Sequence, residues 1–297
     1  MADWKLEEPE AEDREDDAGI NENEKKFLSD GIIDHDYRLD GRGPLDYRTV
    51  RIELGVVSSA TGSAKVTLGS SSVLATAKLS IRTPGKITPD EGLIEISVDS
   101  SLPTSRRDND DEEDMGMSED EVKQILESVY RESGGIDKRR LCIVKGSKCW
   151  ELFFDVIIFE KGTSVMDAAS LAIKAALFDA KFPNLTVLEE EFDQCEVEFT
   201  DDPFDFWQMD VTRVPTIASL HKIGPVFLVD VTKEEMMTAD ASVVVAADIN
   251  RTIYYQNTEC GGSECGFELN VLEELVETSS SLCQEINSRL MKLLASA

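Results

Sequence analysis

Apolar and polar positions alternate with a period of two from Arg48 to Arg82. Val50, Ile52 and Leu54 form one run, Ala64, Val66 and Leu68 a second, and Val73, Ala75, Ala77, Leu79 and Ile81 a third. Thr61-Gly62-Ser63 and Gly69 to Ser71 punctuate them, so the pattern predicts a three-stranded meander that Thr83-Pro84-Gly85 ends. Gly92 to Val98 is a fourth strand. The period then changes. Ser118 and Glu121 have capping-box spacing, and Val122, Ile125, Leu126, Val129 and Tyr130 fall on one helical face before Gly134-Gly135. Leu141 to Val144 and Leu152 to Phe159 are apolar strands, and Gly162-Thr163-Ser164 leads into an Ala-rich helix over Met166 to Lys181. A second block follows. Strands are predicted over Val211 to His221, Val226 to Val231, Ala241 to Ala247 and Thr252 to Gln256, with a short helical segment opening at Thr232-Lys233-Glu234-Glu235. Glu259 to Gly266 reads as a Gly-containing loop, and a long helix runs from about Leu269 to Leu294. Strands, helix, strands, helix, then strands and helix again make an α+β fold with two similar halves.

The chain has 297 residues, 41% of them hydrophobic, which is enough for a sizeable core. Asp and Glu outnumber Lys and Arg by 60 to 30, a net charge of −30. That balance excludes a protein that coats duplex nucleic acid with a broad basic face, and equally a polybasic membrane binder. The charge is uneven. Residues 1–26 hold eleven acids and four bases and read as a disordered tail, and residues 108–121 hold nine acids and no base and read as an acidic loop. About half of the net charge sits in these two segments, so the folded body is only moderately acidic and can carry a local cationic strip for a single strand. No signal peptide and no membrane-spanning run is read in the chain. The six cysteines form no C-x-x-C pair, and with only His35 and His221 in the chain a structural zinc site is not expected. Free thiols in a reducing compartment follow. His221 reads as a structural histidine on a strand, and two histidines leave little room for Ser–His or Cys–His catalysis. No phosphate-cradling G-x-x-x-x-G-K-[ST] and no G-x-G-x-x-G occurs.

The segment Asp40-Gly41-Arg42-Gly43-Pro44-Leu45-Asp46-Tyr47-Arg48, followed by Gly62-Ser63-Ala64-Lys65-Val66-Thr67-Leu68-Gly69, resembles the opening of the RNase PH family. The resemblance continues through Phe159 to Leu177, Phe199 to Asp205 and Leu220 to Gly224, and covers about residues 30 to 290. Within the family it is to non-catalytic ring subunits of the eukaryotic RNA exosome. It implies an RNase PH-like fold of two stacked βαβ-type modules with mixed sheets and packed helices. The expected division is a tail over 1–26, a first module over 27–195 and a second over 196–297.

Active members of the family cleave RNA by phosphorolysis, in which inorganic phosphate attacks the last phosphodiester. Two anions meet, so the site needs cations and backbone donors, with carboxylates to hold magnesium or move a proton. The resemblance places that site on four positions. Where active relatives have an R-S-x-R-like stretch, this chain has Ser128-Val129-Tyr130-Arg131; where they have G-T-R, it has Gly162-Thr163-Ser164. Of two Asp residues six apart, Asp230 is present and the second is Met236, with Glu235 one residue short. Ser128, Ser164, Asp230 and Met236 therefore mark a degenerate site, each missing phosphate contact being worth about 1.5–3 kcal/mol. Asp230 by itself reads as a helix cap before Thr232 to Glu235. No catalytic residue, metal or cofactor is expected.

RNA contacts are expected from Arg82, Lys86, Arg106 and Arg107 on loops after strands; Lys138-Arg139-Arg140 is a further basic cluster. The resemblance implies a non-catalytic subunit that shapes an RNA channel. Its implied partners are other RNase PH-like subunits in a hetero-hexameric ring, cap subunits, an associated nuclease and single-stranded RNA, with no membrane. Its implied places are nucleus, nucleolus and cytoplasm. Two rivals stay open: a phosphorolytic exoribonuclease with a rearranged site, and an acidic interaction module without an RNA role.

Overall fold

A computed structural model describes residues 22–35, 37–101, 117–132, 134–189, 195–200, 202, 204–260 and 269–296. Most of the expected acidic tail, the run Asp108 to Asp114, and both Arg106 and Arg107 lie outside the described residues. In chain order the elements are α1 (Glu22–His35), β1 (Val50–Leu54), β2 (Gly62–Leu68), β3 (Ser71–Arg82), β4 (Leu93–Ser100), α2 (Glu119–Leu126), β5 (Cys142–Val144), β6 (Lys148–Glu160) and α3 (Val165–Asp179). There follow β7 (Phe182–Pro183), β8 (Leu185–Glu189), β9 (Cys195–Phe199), β10 (Phe206–Trp207), β11 (Thr216–Ile223), β12 (Val226–Val229), α4 (Lys233–Met237), β13 (Ala241–Ala247), β14 (Ile253–Cys260) and α5 (Leu269–Ser296).

The meander forms as the alternation predicts: β1, β2 and β3 are antiparallel neighbours. β6 joins β3 antiparallel and β4 parallel, giving the sheet order β1-β2-β3-β6-β4 with β5 on β6. The β4–α2–β6 crossover supplies the parallel pair. The second sheet is antiparallel throughout, in the order β12-β11-β13-β14. β8 and β9 form a separate ribbon. The expected module boundary after residue 195 falls at the start of β9.

α3 holds the two sheets together. Every residue from Val165 to Leu177 is buried, so the helix is covered all round rather than on one face, with Asp167, Ser170 and Lys174 as its buried polar residues. Its alanines let it lie close on β2. A Cβ on Gly62 would meet the Ala180 amide nitrogen at 2.5 Å and collide with the Ala176 carbonyl. On the other side, Ile217 of β11 and Val244 and Ala246 of β13 join the core that includes α3. The opposite face of that second sheet, through Ala218, Leu220, Val243 and Val245, packs on Leu275, Leu282 and Cys283 of α5. Each buried Leu, Ile or Val side chain among these contributes about 1.5–3 kcal/mol.

Several expected boundaries shift. β11 begins at Thr216 rather than Val211, because Asp210 Oδ1 accepts from the Thr212 amide and folds the chain into a turn, and Pro215 has no N–H for a ladder. The last strand runs over Ile253–Cys260 instead of Thr252 to Gln256, carried on by its pairing to β13. Residues 22–26, counted with the tail, are the first turns of α1. Among the described residues of that helix Ile32 is the buried one, against Ile223, Leu228 and Val231, and that tertiary contact holds an element whose own pattern is weak.

Candidate functional site

The Asp40 to Arg48 segment crosses the end of β12 and brings two arginines onto Asp230. Asp230 lies in the left-handed region, φ 47°, a conformation Asp tolerates better than most residues. Its side chain is fully buried, and five hydrogen bonds reach the carboxylate. Oδ1 accepts from Arg48 Nη2 at 2.5 Å and from Ser164 Oγ at 2.6 Å. Oδ2 accepts from the Arg48 amide at 2.8 Å, Arg48 Nε at 2.9 Å and Arg42 Nη1 at 3.2 Å. Burial alone would raise its pKa, but the Arg48 and Ser164 hydrogen bonds outweigh it and hold the carboxyl below the usual range.

A second clamp lies beside the first. Arg38, 1% exposed, donates to both oxygens of Glu235, Nε to Oε1 at 2.9 Å and Nη2 to Oε2 at 2.7 Å. Its remaining donors reach the Val229 carbonyl at 3.1 Å and the Asp230 carbonyl at 3.1 Å. Glu235 also closes a capping box with Thr232. All three arginines near the site are thus consumed by carboxylates and carbonyls of this chain.

The arrangement corrects the expectation that Asp230 caps α4. The N-cap is Thr232, and Asp230 is the anion at the centre of the arginine clamp. Ser164 stands at the N-cap position of α3 but makes no cap bond, because its hydroxyl points to Asp230. Glu235 is not free to serve as a second carboxylate; it is 1% exposed and spent on Arg38. Met236 is half-buried. Ser128 sits half-buried in a π-helical turn, Glu127–Glu132, that continues α2, and Arg131 pairs with Glu127 of the same turn at 3.5 Å. Magnesium does not fit this donor set: the lone pairs of the Asp230 carboxylate already face guanidinium and hydroxyl hydrogens, and Glu235 is equally occupied.

A cavity of about 240 Å³ opens next to the clamp without including Asp230. Thr163, Met166, Ser219, His221, Met236 and Ser242 are among its lining residues, with Glu121 and Met117. His221 is 5% exposed, its Nδ1 has no hydrogen-bond partner, and burial pulls its pKa down to about 4, so the ring is neutral near pH 7. Between cavity and core lies Asp167, in the first turn of α3. It accepts from Tyr47 Oη at 2.9 Å and Ser219 Oγ at 2.7 Å, and burial pushes its pKa to about 7 despite those bonds.

Of the RNA-contact candidates, Arg82 ends β3 with its side chain 61% exposed and pairs with Glu151 at 2.9 Å. Lys86 is exposed on the following loop. The Lys138-Arg139-Arg140 cluster is a short 3₁₀ turn lining a groove of about 660 Å³. That groove also carries Glu91, Glu132, Asp137 and Asp210, so its charge is mixed rather than cationic.

Sequence reasoning gave no role to Arg38, Arg42, Arg48, Asp167 or Tyr47. A partial signal for the clamp was present: Thr232 and Glu235 have capping-box spacing, which frees Asp230 for another role and leaves its charge needing a cation. Nothing in the sequence marks Asp167 or Tyr47, 120 positions apart.

Residues 46–183 match the model of the 3′ exoribonuclease family, domain 1 (RNase PH). The exosome complex component Rrp42 of Pyrococcus abyssi is 30% identical over 263 residues, 88% of this chain and 91% of that protein. The protein of the same name from Methanothermobacter thermautotrophicus is 31% identical over 234 residues, 77% of this chain and 82% of that one. Among solved structures, an archaeal exosome core aligns with a TM-score of 0.66 at 24% identity, covering 90% of this chain and 96% of the other. The Archaeoglobus fulgidus exosome with RNA bound to the active site aligns with a TM-score of 0.67 at 24% identity, over 89% and 96%.

Proposed function

This chain belongs to the RNase PH family of 3′ exoribonucleases, and from that membership we propose that it is a subunit of an RNA exosome core that shapes the RNA path without performing phosphorolysis. Likeness to proteins named Rrp42 over more than three quarters of the chain supports the exosome role. The single observation that carries the non-catalytic part is the sealed carboxylate of Asp230, closed by Arg48, Arg42 and Ser164. Phosphate would find no free cation there, and a metal would find no free lone pair. What is left is the fold without that chemistry, which suits an architectural role. The reading extends to a hetero-hexameric ring of the eukaryotic kind, with cap subunits and an associated nuclease, working in nucleus, nucleolus and cytoplasm.

The test is a native pull-down of the tagged chain, with subunits identified by mass spectrometry and the assembly's mass measured. A hetero-oligomer of related chains with a nuclease is the expected result. A homo-oligomer of this chain that releases nucleoside diphosphates from RNA in a phosphate-dependent manner would overturn the proposal.

A further inference from the structure

We propose that the cavity beside the sealed Asp230 receives an uncharged, unpaired nucleobase, gripped on its edge by His221 and Ser242 and on its faces by methionine thioethers. The choice of a base rests on the RNA reading above, and the test below separates the two.

The lining decides against an anion. Among the described residues it contains no Lys or Arg, and the three nearby guanidinium groups are held by Asp230 and Glu235. Glu121 is the one ionisable acid in the lining, and hydrogen bonds from the Ser118 backbone and hydroxyl hold its pKa below the usual range. It therefore presents negative charge at neutral pH, which repels phosphate. A metal cation fares no better, since among the described residues no three His, Cys, Asp or Glu side chains are grouped as ligands.

The lining decides for a flat polar ring. Met117, Met166 and Met236 bring three polarisable thioethers to one small space, and sulfur packs favourably on aromatic faces. Every base offers such a face. His221 and Ser242 are directly opposite each other in the β11–β13 register. Their Cβ atoms are therefore about 4.5–5.5 Å apart on one sheet face. A neutral imidazole can donate from one nitrogen and accept at the other, and a hydroxyl can do either. The edge of a base presents donors and acceptors side by side in the same way. The Nδ1 of His221, buried and without a partner, is the orphaned polar atom that such an edge would satisfy. A volume of about 240 Å³ suits one ring system; sites for drug-sized ligands run to roughly 300–1,000 Å³.

The experiment titrates the full chain, labelled at its methionine methyls, with the four uncharged ribonucleosides and separately with inorganic phosphate, followed by NMR. At least one nucleoside should shift the Met117, Met166 and Met236 methyl signals saturably, with phosphate silent at the same concentrations. Ser242→Ala and His221→Leu should each weaken that nucleoside about tenfold, the loss of one hydrogen bond. Ser242→Ala keeps the test open if His221→Leu does not fold. Silence with all four nucleosides, or phosphate binding as tightly as they do, overturns the inference. RNA crosslinking of the native assembly is scored in parallel. RNA crosslinks with silent nucleosides overturn the cavity proposal and leave the exosome reading standing. Nucleoside binding with no RNA crosslinked to this chain supports the cavity and overturns its place on an RNA path.

Discussion

Replacing Asp230 with alanine separates a structural carboxylate from a catalytic one. The variant leaves the Arg48 guanidinium, 22% exposed, without its anion, while Arg42, 13% exposed, keeps only Asp40. Removing one partner of a buried ion pair costs about 3–5 kcal/mol, and the lower end applies because water reaches both arginines. Alanine at φ 47° adds about 1 kcal/mol, since the left-handed region suits Asp and Asn better than a residue with no polar group to bond locally. The sum is about 4 kcal/mol, which for a chain of 297 residues lowers the Tm by roughly 6 °C. Asp230→Asn keeps the backbone preference and one acceptor, so its loss should be smaller. The pH dependence gives a second check. The folded pKa of Asp230 is lowered, so its stabilising contribution is complete above about pH 4, the unfolded value, and is lost as pH falls through the folded pKa. The gap between wild type and Asp230→Ala should stay constant from pH 8 to 5 and close only in stronger acid. The assay is thermal unfolding by circular dichroism across that range. A variant as stable as wild type, or more stable, would refute the reasoning, because stability at no cost on removing a charge is the signature of a catalytic group.

Two further substitutions test the surroundings of the clamp. The folded pKa of Asp167 is raised to about 7 by burial, so wild-type stability should fall as pH rises from about 4 to 7 and level off above. Asp167→Asn should abolish that slope, which Tm measured against pH will show, and an unchanged slope would mean that Asp167 is not the titrating group. Gly62→Ala should destabilise the chain by about 1–3 kcal/mol through overpacking on α3, visible as a lowered urea midpoint with unchanged slope. A neutral result would mean that α3 and β2 can part without cost.

The strand meander was legible because a period of two over Val50 to Ile81 leaves few other ways to bury one face. The Ser118–Glu121 capping box was equally legible, being a contact within one turn. α1 was not, since its pattern is weak and a single buried residue, Ile32, carries its docking. At the site, the expectation built on Ser128, Ser164 and Met236 rested on residue identity alone, and identity says nothing about where the neighbouring charges go. Asp230 and Thr232 are both good cap residues, and local reasoning chose the wrong one.

By itself, then, the sequence determined the α+β class, the periodicities of the strands and helices, and the family. Those are properties of neighbours in the chain, set by spacing and side-chain type. Only the tertiary structure decided that Arg48 would reach Asp230 across 182 positions and Arg38 would reach Glu235 across 197. The same folding step brought His221 and Ser242 side by side on one sheet face. The physical reason is common to all three. A buried charge or polar group must be satisfied. Which distant partner satisfies it is fixed by how sheets and helices pack, and no local pattern encodes that.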